Sequence, residues 1–167
     1  MRTVLVALLT ASLVCPLEGL SAQVVEKAAP MPQVPRELQE ALTEAHEIGM
    51  TRARRVENAD PTDADLAARA IASLPESLDA GTAALDALAK AVGPEHAAEI
   101  ETIRKFQQAA RPHVDALAGL KDKPLSASAK AHAAAVREQL DLAESAHQKL
   151  MRALSAPKPD TPKPAGT

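Results

Sequence analysis

From Ala129 to Leu154 the apolar, small and seam residues fall at Ala129, Ala133, Val136, Leu140, Ala143, His147, Leu150 and Leu154, separated by steps of 4, 3, 4, 3, 4, 3 and 4. Only an α-helix brings such positions onto one stripe, and a stripe this regular has to be buried against other helices. Three further segments carry the same pattern. One holds Leu66, Ala70, Leu74, Leu78, Gly81, Leu85, Leu88 and Val92, another His96, Ile100, Ile103, Gln107, Ala110, Val114 and Leu117, and the weakest Leu38, Leu42, Ala45, Gly49, Arg52 and Val56. Composition closes off the competing classes. The chain has 167 residues with one Phe, no Trp and no Tyr, and 37 of the 167 are Ala. A sheet lacks the aromatic and β-branched side chains it needs, and 25% charged residues exclude a membrane-embedded bundle. A net charge of −3 gives no footprint for nucleic acid.

Punctuation sets the expected helix ends. The first helix is expected over 36–58. Asp60-Pro61-Thr62-Asp63 combines a capping acid, a proline at the first helical position and an acid in the first turn. The second helix then runs to Gly93, and Gly93-Pro94-Glu95 ends it and starts the third. Gly119-Leu120 reads as a left-handed stop with an apolar contact residue behind it. Pro124-Leu125-Ser126 opens the fourth helix with an apolar residue ahead of a capping Ser. The stripes keep their phase across Pro75 and Pro112, which predicts kinked helices rather than interrupted ones. The expected fold is all-α, an antiparallel up-down-up-down four-helix bundle over 36–155 with kinked second and third helices. A three-helix or domain-swapped dimeric arrangement is the alternative.

The ends of the chain suggest an address. Met1-Arg2 followed by the apolar run 4–14, a break at Cys15-Pro16 and the small residues Ser21-Ala22 reads as a signal peptide over 1–22. Retention as an N-terminal helix, or lipidation of Cys15, are the other readings. Cleavage leaves a 145-residue chain without cysteine, with no transmembrane segment, destined for the periplasm or the exterior. Residues 23–35 read as a Pro-rich linker and 156–167 as a Pro-rich disordered tail.

Candidate chemistry is sparse. Phosphate-binding loops, H-E-x-x-H and G-x-S-x-G are all missing. The dense basic run Thr51-Arg52-Ala53-Arg54-Arg55 spreads around a helix and reads as solvated surface. Five histidines occur, at 46, 96, 113, 132 and 147; His96 and His147 fall on stripes. His147 lies about 12 Å from the bundle end at 1.5 Å per residue, with His46 within about one turn of that level, Met50 about a turn deeper, and Phe106 at comparable depth. Glu144 and His147 form one Glu-x-x-His unit, but a di-iron bundle needs two. The expected function is therefore non-enzymatic: an exported helical bundle that binds an unknown protein partner in the envelope, with no cofactor and no nucleic acid. A homodimer is compatible with this reading.

One resemblance adds an alternative. His147-Gln148-Lys149 near the end of the last helix, Phe106 in the third, and Ala133-Ala134-Ala135 followed by Glu138-Gln139-Leu140 make residues 103–151 resemble the C-terminal half of the cytochrome b562 family. The resemblance implies a periplasmic four-helix bundle carrying noncovalent haem b in electron transport, with His147 as an axial ligand to the haem iron and Phe106 against the macrocycle. The second ligand of that family is a Met near the start of the first helix, where this chain has Leu42 and His46, with Met50 deeper. The family's second Phe in its third helix is Ala110 here. Covalent attachment is excluded, since no Cys-x-x-Cys-His occurs.

Overall fold

The structure, a computed structural model, describes residues 34–121 and 123–156. The signal peptide, most of the linker and most of the C-terminal tail read from the sequence lie outside the described residues. Four helices account for nearly all of what is described: α1 (Arg36–Asn58), α2 (Ala64–Val92), α3 (Ala97–Ala118) and α4 (Ala127–Ser155). Short 3₁₀ turns, Pro61–Asp63 and Pro94–His96, lead into α2 and α3. There is no strand among the described residues.

Each turn follows from its residues. Asp60 accepts a hydrogen bond from the Thr62 amide at 2.8 Å, so its carboxylate caps the 3₁₀ turn rather than α2 itself. Gly93 takes φ +85°, a backbone conformation that side chains with a Cβ rarely adopt, and thereby ends α2. Ser126 Oγ accepts from the Ala129 amide at 3.1 Å and caps α4, while Leu125 ahead of it packs on the core. Gly119 departs from expectation. Its φ of −69° is right-handed, because the chain continues into a tighter turn in which Leu120 N–H donates to the Leu117 carbonyl at 2.8 Å. Leu120 does pack against the core as its position implied.

Helices α2 and α3 run uninterrupted through Pro75 and Pro112. Cross-helix pairs fix the arrangement. Residues 46 and 57 of α1 meet 144 and 137 of α4, and 79 and 86 of α2 meet 111 and 104 of α3. In both pairs the residue numbers run in opposite directions, the arrangement of an antiparallel bundle. Contacts link α1 to α2, α2 to α3, α3 to α4 and α4 back to α1, so α1 and α3 lie diagonally across the bundle.

The stripes face inward, with Leu38, Arg52, His96 and Leu154 half-buried and one residue exposed. Leu66 is 56% exposed. At about 100° per residue it sits about 80° away from Leu74, whereas Ala67 sits only about 20° away and takes the buried place. Small residues fill much of the interior: Ala53, Ala110, Ala133 and Ala143 are all buried, which keeps the helices close and the core thin. That core is split into two apolar clusters. One contains Met50, Val56, Leu74, Val114 and Val136; the other contains Leu42, Leu85, Leu88, Ile103 and Leu150.

Candidate functional site

A layer of buried polar and small residues belongs to neither apolar cluster: His46 and Gly49 on α1, Ser77 and Gly81 on α2, Gln107 on α3 and His147 on α4. Gly81 makes room for the larger members. A Cβ there would lie 3.2 Å from Gln107 Nε2 and 3.8 Å from His46 Cδ2.

His46 is 1% exposed and engages both ring nitrogens. Its Nδ1 lies 3.0 Å from Glu144 Oε2, and its Nε2 lies 3.0 Å from Gln107 Nε2. A single tautomer satisfies both contacts: Nδ1 donates to the carboxylate, and Nε2 accepts from the Gln107 amide. A chain Gln107→His46→Glu144 thus crosses the bundle diagonal from α3 through α1 to α4.

His147 is placed differently. Its Nδ1 lies 3.6 Å from Glu144 Oε2 and 3.5 Å from Thr43 Oγ1. Its Nε2 is buried without a hydrogen-bond partner, as is Gln107 Oε1. Glu144 also accepts from Gln148 Nε2 at 3.2 Å and from Thr43 Oγ1 at 3.5 Å. Hydrogen bonding from His147, then from His46 and Gln148, holds the Glu144 carboxyl well below the usual carboxylate range, against the opposing cost of burial. A carboxylate held ionised in this way has no proton to give and is a weak base.

Glu144 and His147 also line the floor of an open groove of about 620 Å³ between the N-terminal half of α1 and the C-terminal half of α4. The α1 rim carries exposed Glu40, Glu44 and Glu47, of which Glu40 is paired with Arg36 at 2.6 Å; Arg152 of α4 also lines the groove.

The residues singled out from sequence fall into two groups. His46 and His147 meet at Glu144, and Phe106 is half-buried against the cluster that holds Ile103 and Leu150. Met50 lies in the other cluster, beside Ala53 and Val56, and is not part of this layer. Within the basic run, Arg52 donates to the Ser73 carbonyl at 2.5 Å, while Arg54 and Arg55 are exposed. Gln107 and Glu144 were visible only as a polar residue on a stripe and as an acid three places before His147. Their union needs three helices in register.

The layer can be weighed as a cofactor site. His147 Nε2 is the kind of atom a haem iron takes, and within the fold it has no hydrogen-bond partner. An axial bond from His46 would require giving up the contacts to both Glu144 and Gln107. Among the described residues, no group of three or more His, Cys, Asp or Glu side chains is arranged to hold a metal ion, and no helix is long and apolar enough to cross a membrane. Comparison with protein-family models, curated proteins and solved structures finds no match to this chain.

Proposed function

We propose that the protein is a non-enzymatic binding protein of the cell envelope or exterior, which acts by contact through the groove between α1 and α4. The observation that carries this reading is the groove floor. Glu144 is fixed by His46 and Thr43 of α1 and by His147 and Gln148 of α4, so the groove has a charged base held from both helices. With Glu44 and Glu47 on its rim, the complementary partner is a protein segment bearing Lys or Arg. The sole cysteine is Cys15, so Cys15→Ser gives a background for site-specific labelling. A photo-crosslinker at Glu47→Cys should give a discrete adduct with a component of the source cell's envelope, weakened by Glu40→Lys with Glu44→Lys. The same label at Asp86→Cys, on the α2–α3 side, should not give it. Identical adducts from both positions, or none, would overturn the groove as the contact surface.

The unpartnered His147 Nε2 favours a second reading, noncovalent haem binding of the b562-like kind in electron transport, with His147 as the single committed ligand. Haemin titration separates the two. A Soret band abolished by His147→Ala supports haem, and a flat titration supports contact alone.

A further inference from the structure

Two histidines outside this layer face each other across a different helix pair. His113 lies five residues before the end of α3 and His132 five residues after the start of α4. The turn between the two helices therefore brings them to one level. Their Nδ1 atoms are 3.1 Å apart, with ring centroids 5.4 Å apart and planes tilted by 42°. Both side chains are half-buried, so the pair is anchored yet reachable by solvent.

Left alone, this contact needs one Nδ1 to carry a proton and the other to offer its lone pair. The distance suits something else as well. With metal–nitrogen bonds of about 2.0–2.1 Å, cis ligands lie about 2.9 Å apart in a square plane and about 3.3 Å apart in a tetrahedron. The observed 3.1 Å lies between these values. Moving the bridging proton to Nε2 of its own ring frees both Nδ1 lone pairs without any net loss of charge. Of the eight positions one turn away on the two helices, five are Ala and none is a carboxylate that would compete for the pair.

We infer that His113 and His132 form a two-imidazole site for a divalent transition-metal ion, with solvent supplying the remaining ligands. All-nitrogen donors without a carboxylate or thiolate favour the later first-row ions, and affinity should be greatest for Cu²⁺. The site is independent of the α1–α4 groove and of the proposed contact function. Because its ligands come from two helices, the ion binds the folded chain more tightly than the unfolded one, and occupancy should raise thermal stability.

The test uses Cu²⁺ with the full chain carrying Cys15→Ser, which removes the competing thiol. Titration at neutral pH should saturate at one ion per chain, and electron paramagnetic resonance should show two equatorial imidazole nitrogens. His113→Gln and His132→Gln should each weaken binding by about a hundredfold or more, above the range that loss of a merely supporting partner brings. Each should also abolish the copper-induced rise in melting temperature. His96→Gln and His147→Gln should keep both the affinity and the rise. A single nitrogen in the parent spectrum, several weak ions in place of one, or unchanged binding in either His113→Gln or His132→Gln would overturn the site. So would loss of binding in His147→Gln. The nitrogen count is read on the parent and depends on no variant's folding.

Discussion

His46 and His147 are equally buried, yet removing them should move stability in opposite directions. In His147→Leu the buried, unpartnered Nε2 disappears, returning about 1–3 kcal/mol of desolvation cost. What is lost is a contact at 3.6 Å to a carboxylate that keeps His46, Gln148 and Thr43. At that length the loss is about 1 kcal/mol, below the range of a well-formed charge-assisted bond. Leu also continues the apolar stripe between Ala143 and Leu150. The variant should therefore be as stable as the parent or more stable by up to about 2 kcal/mol. His46→Leu removes two contacts of 3.0 Å and leaves Gln107 with both amide atoms unpaired in the interior. The expected cost is about 2–4 kcal/mol. Urea unfolding followed by far-ultraviolet circular dichroism, with chelator present, measures both. With slopes of about 1–3 kcal/mol per molar urea, a 3 kcal/mol difference separates the two midpoints by about 1–3 M. Destabilisation of His147→Leu by more than about 1 kcal/mol would mean that Nε2 has a partner in the folded state. Equal losses in both variants would refute the Gln107→His46→Glu144 chain.

Three further outcomes follow from other contacts. The Glu144 carboxyl is depressed in the folded protein, so its contribution is present above the ordinary unfolded carboxylate value and lost as pH falls through the folded one. Acid unfolding of Glu144→Gln should accordingly be less steep below about pH 4.5 than that of the parent, and parallel curves would count against the assignment. A Cβ at Gly49 would lie 2.6 Å from Leu140 Cδ1 inside the core, so Gly49→Val should cost about 2–3 kcal/mol in thermal or urea melts despite the gain of a side chain in a helix. Ser126→Ala deletes the cap on the Ala129 amide and should cost about 1 kcal/mol, whereas Ser128→Ala, exposed within the first turn, should cost little.

Helix formation and the position of each turn were legible because their causes are local. A proline cannot donate, a capping oxygen reaches an amide two or three residues ahead, and an apolar stripe with a spacing near 3.5 can be buried only on one side of a helix. The α4 stripe is buried from Ala129 to Leu150 as its spacing requires. Where local rules failed, the chain's surroundings prevailed. Gly119 stays right-handed because the amides of Leu120 and Lys121 after it donate back to the Leu117 and Ala118 carbonyls. Leu66 turns outward because, eight residues before Leu74, it lies about 80° off the stripe that Ala67 continues.

The polar layer lay beyond such rules. Sequence placed His46 and His147 at similar depth but could not say that a single carboxylate joins them, since Glu144 reads as one more acid on a helix of mixed charge. Nor could it separate Met50 from that layer, because one turn along α1 carries a side chain from one side of the layer to the other. The α3–α4 histidine pair has the same origin: neither His113 nor His132 lies on a stripe, and only the turn length between two helices sets them 3.1 Å apart. Periodicity records which face of a helix is buried. The partner met on that face depends on the register between helices, and register is set by how glycines, alanines and leucines from four separate segments fit together.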